Sequence, residues 1–326
     1  MQFLVFNLIS ILILIFLFYK RKNICLKLNL IDHPNDNSVH KHEALLFGGI
    51  FLISSLILNI FFLIFANIYN NNYFSLFLVI SFFIIALADD IKNLNPNFRL
   101  IITLLACLLS IAIDPNLGIK SLYFYYNNNI YLINNLYLNY SLSALCILLL
   151  VNALNFIDGI NGLASSVGIS IFIYLILKNP IIFNFYYMFI ISLFIFFFLN
   201  IKYRIFLGDS GNYLISICIA IILLKENSQQ PLFYYAEEIF LLLLIPGIDM
   251  LRLFITRIYN RKNPFKGDLN HFHHKLFNKY GNNKTLLIYL VLINLPIYAY
   301  FFTFTFLIIL IIFSITIYFT LLKYTS

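Results

Sequence analysis

Charge is what this sequence has least of. Asp, Glu, Lys and Arg make up 10% of its 326 residues, against 62% that are hydrophobic, and its mean hydropathy is +0.92. Soluble domains carry about 25% charged residues, so a soluble fold is excluded and a multi-pass membrane protein is expected. Cysteine is scarce too. Cys25, Cys107, Cys146 and Cys218 form no CxxC pair, and three of them fall in apolar runs, which excludes a disulfide framework and a cysteine-held metal. No positive residue precedes the first apolar run and no small-residue cleavage site follows it. That run is expected to stay as an anchor rather than to be removed as a signal peptide. The Asn-rich patches read as loops.

A bilayer core of about 30 Å takes about 20 apolar residues per helix. The expected fold is all-α, a single integral-membrane domain over residues 1–326 with ten or eleven transmembrane helices. Eleven runs qualify, roughly 2–19, 44–69, 73–88, 100–114, 141–157, 163–177, 185–201, 210–224, 236–257, 284–302 and 303–322. The last two nearly merge, and Pro296 together with their combined length favours two helices. Between the fourth and fifth spans, aromatic and β-branched residues broken by Asn predict a small extracytoplasmic hairpin. Orientation follows from the cations. Of the 21 Lys and Arg, 18 collect on one side and only Lys120, Lys178 and Lys225 on the other. The larger set belongs in the cytoplasm, with the N-terminus outside and the C-terminus inside. Most of the net charge of +8 then faces anionic headgroups and would attract a phosphorylated substrate.

Polar residues interrupt the apolar pattern in a few places, and each has a chemical reading beside a structural one. In NALNFIDGINGLA, Asn152, Asn155 and Asp158 stand at i, i+3 and i+6 at a helix end, so they share one arc of it. Gly159 and Gly162 then allow a tight turn. Asp89 and Asp90 are adjacent carboxylates that repel unless a cation or proton relieves them, which suits metal binding or general-base chemistry. The alternative is a solvated helix end neutralised by Lys92 and Arg99. Asn93 stands where a DDxxD diphosphate motif needs Asp, which speaks against a prenyl-diphosphate synthase. Asp209, in GDSG, opens an apolar run, where backbone N–H groups and the helix dipole favour an anion or a metal-bridged phosphate; the alternative is an N-cap. The same string occurs in chymotrypsin-like proteases, but nothing else here supports that soluble barrel. Asp249 is expected at a broken helix, paired with Arg252 one turn on, in a structural role. His271, His273 and His274 sit among basic residues and fit phosphate binding better than zinc, since no further ligand completes a set. Asp32, His33, His40 and His42 in the first loop match no familiar metal spacing, and Gly48-Gly49 allows close helix packing.

All these clusters fall on the face assigned to the cytoplasm. Carboxylates for a metal, glycines for close phosphate approach and a basic histidine loop together describe phosphoryl transfer between a soluble nucleotide and a lipid.

At this point the sequence resembles a known family. ADDIKNL at 88–94 with Arg99, NALNFIDGINGLA at 152–164, FLGDSGN at 206–212 and NPFKGDLNHFHHKL at 263–276 are similar to the ordered motifs of the polyprenyl-phosphate N-acetylhexosamine-1-phosphate transferases, glycosyltransferase family 4. DHPN with His40 and Gly48-Gly49 resembles the family's first loop. The resemblance implies transfer of a sugar 1-phosphate from a UDP-amino sugar to undecaprenyl phosphate, with release of UMP and a requirement for Mg²⁺ or Mn²⁺. Carried over, Asp89, Asp90, Asp158 and Asp209 would be catalytic, Asp89 and Asp90 near the lipid phosphate. Asn152, Asn155, Arg99, His271, His273 and His274 would bind substrate, and Asp209 and Asn155 would hold the metal. The chain departs from the pattern at Asn161, Asn212 and Asn37, where relatives carry Asp, Ser and Arg, and this puts the nucleotide-sugar preference in question. The His-x-His-His spacing resembles the branch that starts cell-surface polysaccharide rather than phospho-MurNAc-pentapeptide transferase. That transferase is the alternative enzyme, and a transporter of an anionic or lipid substrate the alternative outside enzymology. Membrane lipids are the expected surroundings, nucleic acid is not expected, a homodimer is allowed, and the location implied is the inner (plasma) membrane with a cytoplasmic active site.

Overall fold

The computed structural model describes residues 2–34, 42–65, 75–203, 205–229, 234–263 and 269–325. Lys41, His40, Asn37, Arg204 and Lys266 lie outside them. The chain folds as helices α1 (Gln2–Leu28), α2 (Gly48–Phe65), α3 (Ser75–Lys92), α4 (Pro96–Ile113), α5 (Leu136–Phe156), α6 (Leu163–Lys178), α7 (Ile181–Lys202), α8 (Gly208–Gln229), α9 (Ala236–Leu242), α10 (Leu244–Tyr259), α11 (Phe272–Thr303) and α12 (Leu307–Thr325). Each of the eleven expected spans contains a helix among its described residues, and 236–257 holds the pair α9–α10 bent by 77°. Among the described residues, α2, α4, α5, α8, α11 and α12 are long and apolar enough to cross a membrane, and the bent pair adds a seventh. The protein is an all-α polytopic membrane protein.

The breaks have local causes. The bend at Leu243 leaves Pro246 in the first turn of α10, where its missing N–H costs nothing. The last two spans were expected to divide near residues 302–303, and Pro296 lies buried inside α11. The division comes there, at Phe304 and Phe306, whose φ angles are +52° and +60°. Two of the Asn-rich loops end in caps: the Asn95 side chain accepts from the Asn97 N–H, and that of Asn135 from Tyr137 and Leu138.

α8 is the buried centre of the bundle. It packs on α2, α3 and α5, and Leu214, Ile217, Cys218 and Ile219 have no exposure. α12 lies at the edge with Ile309, Ile312 and Phe319 exposed, as a lipid-facing helix should be. Close packing at the α2–α8 corner depends on Gly49, where a Cβ would fall 2.0 Å from Ser210 Oγ.

Two small sheets finish the fold. β1 (Ile31–Asp32) pairs antiparallel with β2 (Ala44–Leu46), and β2 pairs parallel with β5 (Ile205–Phe206). This pairing draws the first loop against the segment that enters α8. At the opposite end, β3 (Ser121–Tyr123) and β4 (Ile130–Leu132) form the expected hairpin. It is held by the Tyr125 N–H, which donates to Glu237 Oε2 at 2.9 Å, and by Tyr123 stacked on Tyr235.

Candidate active site

Asp90 closes α3 and reaches across to the start of α8. Its carboxylate accepts from the backbone N–H groups of Asp209 (2.8 Å) and Ser210 (3.1 Å) and from Ser210 Oγ (2.5 Å). Free helix-start N–H groups favour an anion, and the anion that fills this place belongs to the protein itself. Gly208 makes the approach feasible: its φ is +72°, and a Cβ there would lie 2.8 Å from Asp90 Oδ2. Asp209 therefore does not cap its own helix. Its Oδ2 receives Arg99 Nη1 at 2.6 Å, and the same nitrogen donates to Asp89 Oδ2. Asp89 is buried and also accepts from the Leu94 N–H at 2.7 Å. The adjacent pair is thus relieved twice, Asp89 by a guanidinium and Asp90 by a helix terminus.

Asp89, Asp90, Asp158 and Asp209 line one cavity of about 800 Å³ together with Asn155, His274, Asp32 and His33. Asn155 ends α5, and Asp158 follows in the turn that its backbone N–H closes onto Asn155 O. Desolvation raises the Asp158 carboxyl well above the usual range, the Asp90 charge adds to this, and Asn212 works the other way. Asn152 and Arg99 do not line this cavity. They flank a small adjoining recess with Phe156 and Tyr213, and the Asn152 amide donates to Leu148 O.

The histidines arrive from the other side. Gly159 packs directly on them: a Cβ there would lie 2.5 Å from both His273 Nε2 and His274 Cε1. His274 borders the cavity, whereas His271 and His273 are buried behind it. Both ring nitrogens of fully buried His273 have no hydrogen-bond partner among the described residues. His271 Nδ1 meets Asp249 Oδ2 at 3.1 Å. Asp249 also accepts from Arg252 Nη2 (2.8 Å), Tyr318 OH (2.8 Å) and the Phe272 N–H that begins α11. The expected Arg252 partner is present, and the acidic neighbour that the histidines lacked in sequence is Asp249. Asp249, His271 and His273 hold ligand atoms within 4.8 Å of one another, but the carboxylate is already committed to a guanidinium.

The cavity wall is the better place for a divalent cation. Asp158, Asp209 and Asn155 offer hard oxygen donors, the chemistry that suits Mg²⁺ or Mn²⁺. Among the described groups Arg99 is engaged with two of the four carboxylates, Asp89 and Asp209, which leaves Asp90 and Asp158 without an arginine partner. The residues fit the ion.

Sequence reasoning overlooked Asn200 and Tyr318. Asn200 is a buried amide inside the apolar run of α7, a signal that was available; Tyr318 had none in a chain with 23 tyrosines.

Residues 72–227 match the glycosyl transferase family 4 profile, which takes in Asp89, Asp90, Asp158 and Asp209. Over these residues the chain is similar to glycosyl transferase family 4. The match stops short of Asp249 and the histidines, but individual family members align further. The chain is 27% identical over 266 residues to an undecaprenyl-phosphate alpha-N-acetylglucosaminyl 1-phosphate transferase of Thermotoga maritima, covering 80% of this chain and 78% of that one. A protein of the same name from Escherichia coli O157:H7 is 24% identical over 300 residues, covering 88% of this chain and 80% of that one.

Proposed function

We propose that this protein transfers N-acetylhexosamine 1-phosphate from a UDP-amino sugar to undecaprenyl phosphate, releasing UMP. The reaction would occur at the cytoplasmic face of the inner membrane and start a cell-surface polysaccharide. The observation that carries this reading is one cavity bounded by the acidic wall on one side and His274 on the other, joined through Gly159. Family relatives that bear the transferase name support the donor and acceptor class.

Each group has a task in this reading. Arg99 fixes Asp209 so that one carboxylate oxygen stays turned toward the cavity. Asp90 locks the α8 terminus and keeps Asp209 in place. His274, with the unpartnered His273 behind it, contacts the diphosphate of the donor, and Asp249 orients His271. Of Asp89, Asp90, Asp158 and Asp209, Asp158 is the one with neither an arginine partner nor a helix terminus bound to it among the described residues. This makes it the group whose proton an entering cation must displace. Asp209, Asp158 and Asn155 would hold a divalent ion, which would supply charge neutralisation between two anionic reactants.

The test is UMP release from purified protein given undecaprenyl phosphate, Mg²⁺ and a panel of UDP-sugars. UMP should form with a UDP-HexNAc and require both lipid and cation. Asp209→Asn should lower turnover by about 100-fold or more while leaving a monodisperse protein in detergent. Release from UDP-MurNAc-pentapeptide alone would shift the reading to the peptidoglycan enzyme, and no release with any donor would refute it.

A further inference from the structure

Asn200 sits in the last turn of α7, only 5% exposed, on the floor of the cavity. Its Oδ1 accepts from the Gly162 N–H, and its Nδ2 donates to Ile205 O at 2.6 Å. Gly162 ends the turn that carries Asp158 and Gly159, and it adopts φ +84° before α6 begins. Ile205 opens β5, the strand that leads through Leu207 into Gly208 and Asp209. One buried amide therefore bonds two of the chain segments that carry carboxylates of the cavity wall, those of Asp158 and Asp209, and it uses its acceptor on one and its donor on the other.

The chemistry of the pairing is specific to an amide. A carboxylate could accept from Gly162 but would repel Ile205 O, and a hydroxyl is too short to span both. The two segments are otherwise far apart in sequence. Gly162 is 38 residues from Asn200, so nothing local sets their separation.

We propose that Asn200 is a positioning residue that fixes the distance between Asp158 and Asp209, and with it the fit of the divalent cation between them. The proposal rests on the transferase reading only for its kinetic part. Its structural part concerns the two segments themselves and can be read without turnover.

The experiment compares wild type with Asn200→Ala in detergent. Hydrogen exchange should rise at residues 158–163 and 205–209 and nowhere else, and Mn²⁺ bound without substrate, followed by its paramagnetic resonance, should need several-fold more metal for half saturation. Turnover should fall about 100-fold, the scale on which a displacement of about 1 Å acts, while KM for undecaprenyl phosphate stays within two-fold. If Asn200→Ala is not recovered as a monodisperse protein, Asn200→Asp carries the same test, because it keeps the Gly162 bond and loses the Ile205 bond. Exchange that rises throughout the chain, or Mn²⁺ binding unchanged in a variant with loosened segments, overturns the proposal. Wild type that binds Mn²⁺ but releases no UMP would sink the transferase reading and leave the clamp standing.

Discussion

A methyl group on Gly159 would lie 2.5 Å from His273 Nε2 and from His274 Cε1, closer than carbon approaches either atom. The histidine rings belong to a buried cluster and have no room to retreat. Gly159→Ala should therefore destabilise the protein by about 1–3 kcal/mol, the usual cost of overpacking. It should also lower UMP release, read beside the thermal midpoint in detergent. Unchanged values in both would mean that the turn does not rest on the histidines. In the sequence this glycine read as turn chemistry, whereas the structure gives it a packing reason, and Gly208 likewise stands against Asp90. Asp158 yields a prediction with a sign. Its carboxyl holds its proton well above the usual range in the folded state. Without a cation the folded protein binds more protons than the unfolded chain between the two pKa values, so stability should fall as pH rises through that window. A cation bound there must displace the proton, so half saturation by Mn²⁺ should need less metal as pH rises, by up to about ten-fold per pH unit. Asp158→Asn should flatten that slope. A slope that persists in the variant would assign it to another group.

At the scale of elements, two of the helices that present site residues start in the same way. α8, carrying Asp209, begins on the carboxylate of Asp90 from α3; α11, carrying His273 and His274, begins on that of Asp249 from α10. A helix terminus points its N–H groups at a carboxylate with favourable charge, and in both cases the carboxylate also touches a side chain of the site, Ser210 or His271. The sequence placed polar residues at the starts of both helices but could not show these caps. Asp90 is 119 residues from Asp209, and Asp249 is 23 from Phe272. Asp249 was read from the sequence as a structural partner of Arg252, and the same carboxylate also meets His271 Nδ1. Asp249→Asn keeps an oxygen for the Phe272 N–H but leaves Arg252 without its counter-charge, which costs up to about 3 kcal/mol for a buried pair and less here, because Arg252 is partly exposed. The thermal midpoint should drop, and turnover should fall more than Asp249→Glu causes if that variant still reaches His271. Equal turnover in Asp249→Asn and wild type would remove Asp249 from the site.

Over the whole molecule, apolar runs were enough to locate the described helices, with α9 and α10 read as one run, because hydrocarbon leaves the backbone no alternative way to satisfy its own hydrogen bonds. The three-stranded sheet was not readable, since strands of two or three residues carry no periodicity. Yet that sheet is what brings Asp32 and His33 to the cavity. The charge asymmetry becomes stronger in three dimensions. Of the three cations at the end away from the cavity, Lys178 meets Glu238 at 2.8 Å and Lys225 meets Asp114 at 2.9 Å, all largely buried. These pairs neutralise two of the exceptions to the cation count, so the bias that orients the protein rests against Lys120. Two positions test the resulting topology in a cysteine-free background: Tyr126 on the hairpin, 79% exposed, and exposed Asn283 beside cavity-lining Asn282. Tyr126→Cys should react with a membrane-impermeant maleimide in intact cells, and Asn283→Cys only after the membrane is permeabilised. Labelling of both from outside would contradict a hairpin and a cavity at opposite ends of the bundle. The reverse pattern would place the cavity where no cytoplasmic nucleotide sugar could reach it, and the transferase reading would fail on access alone.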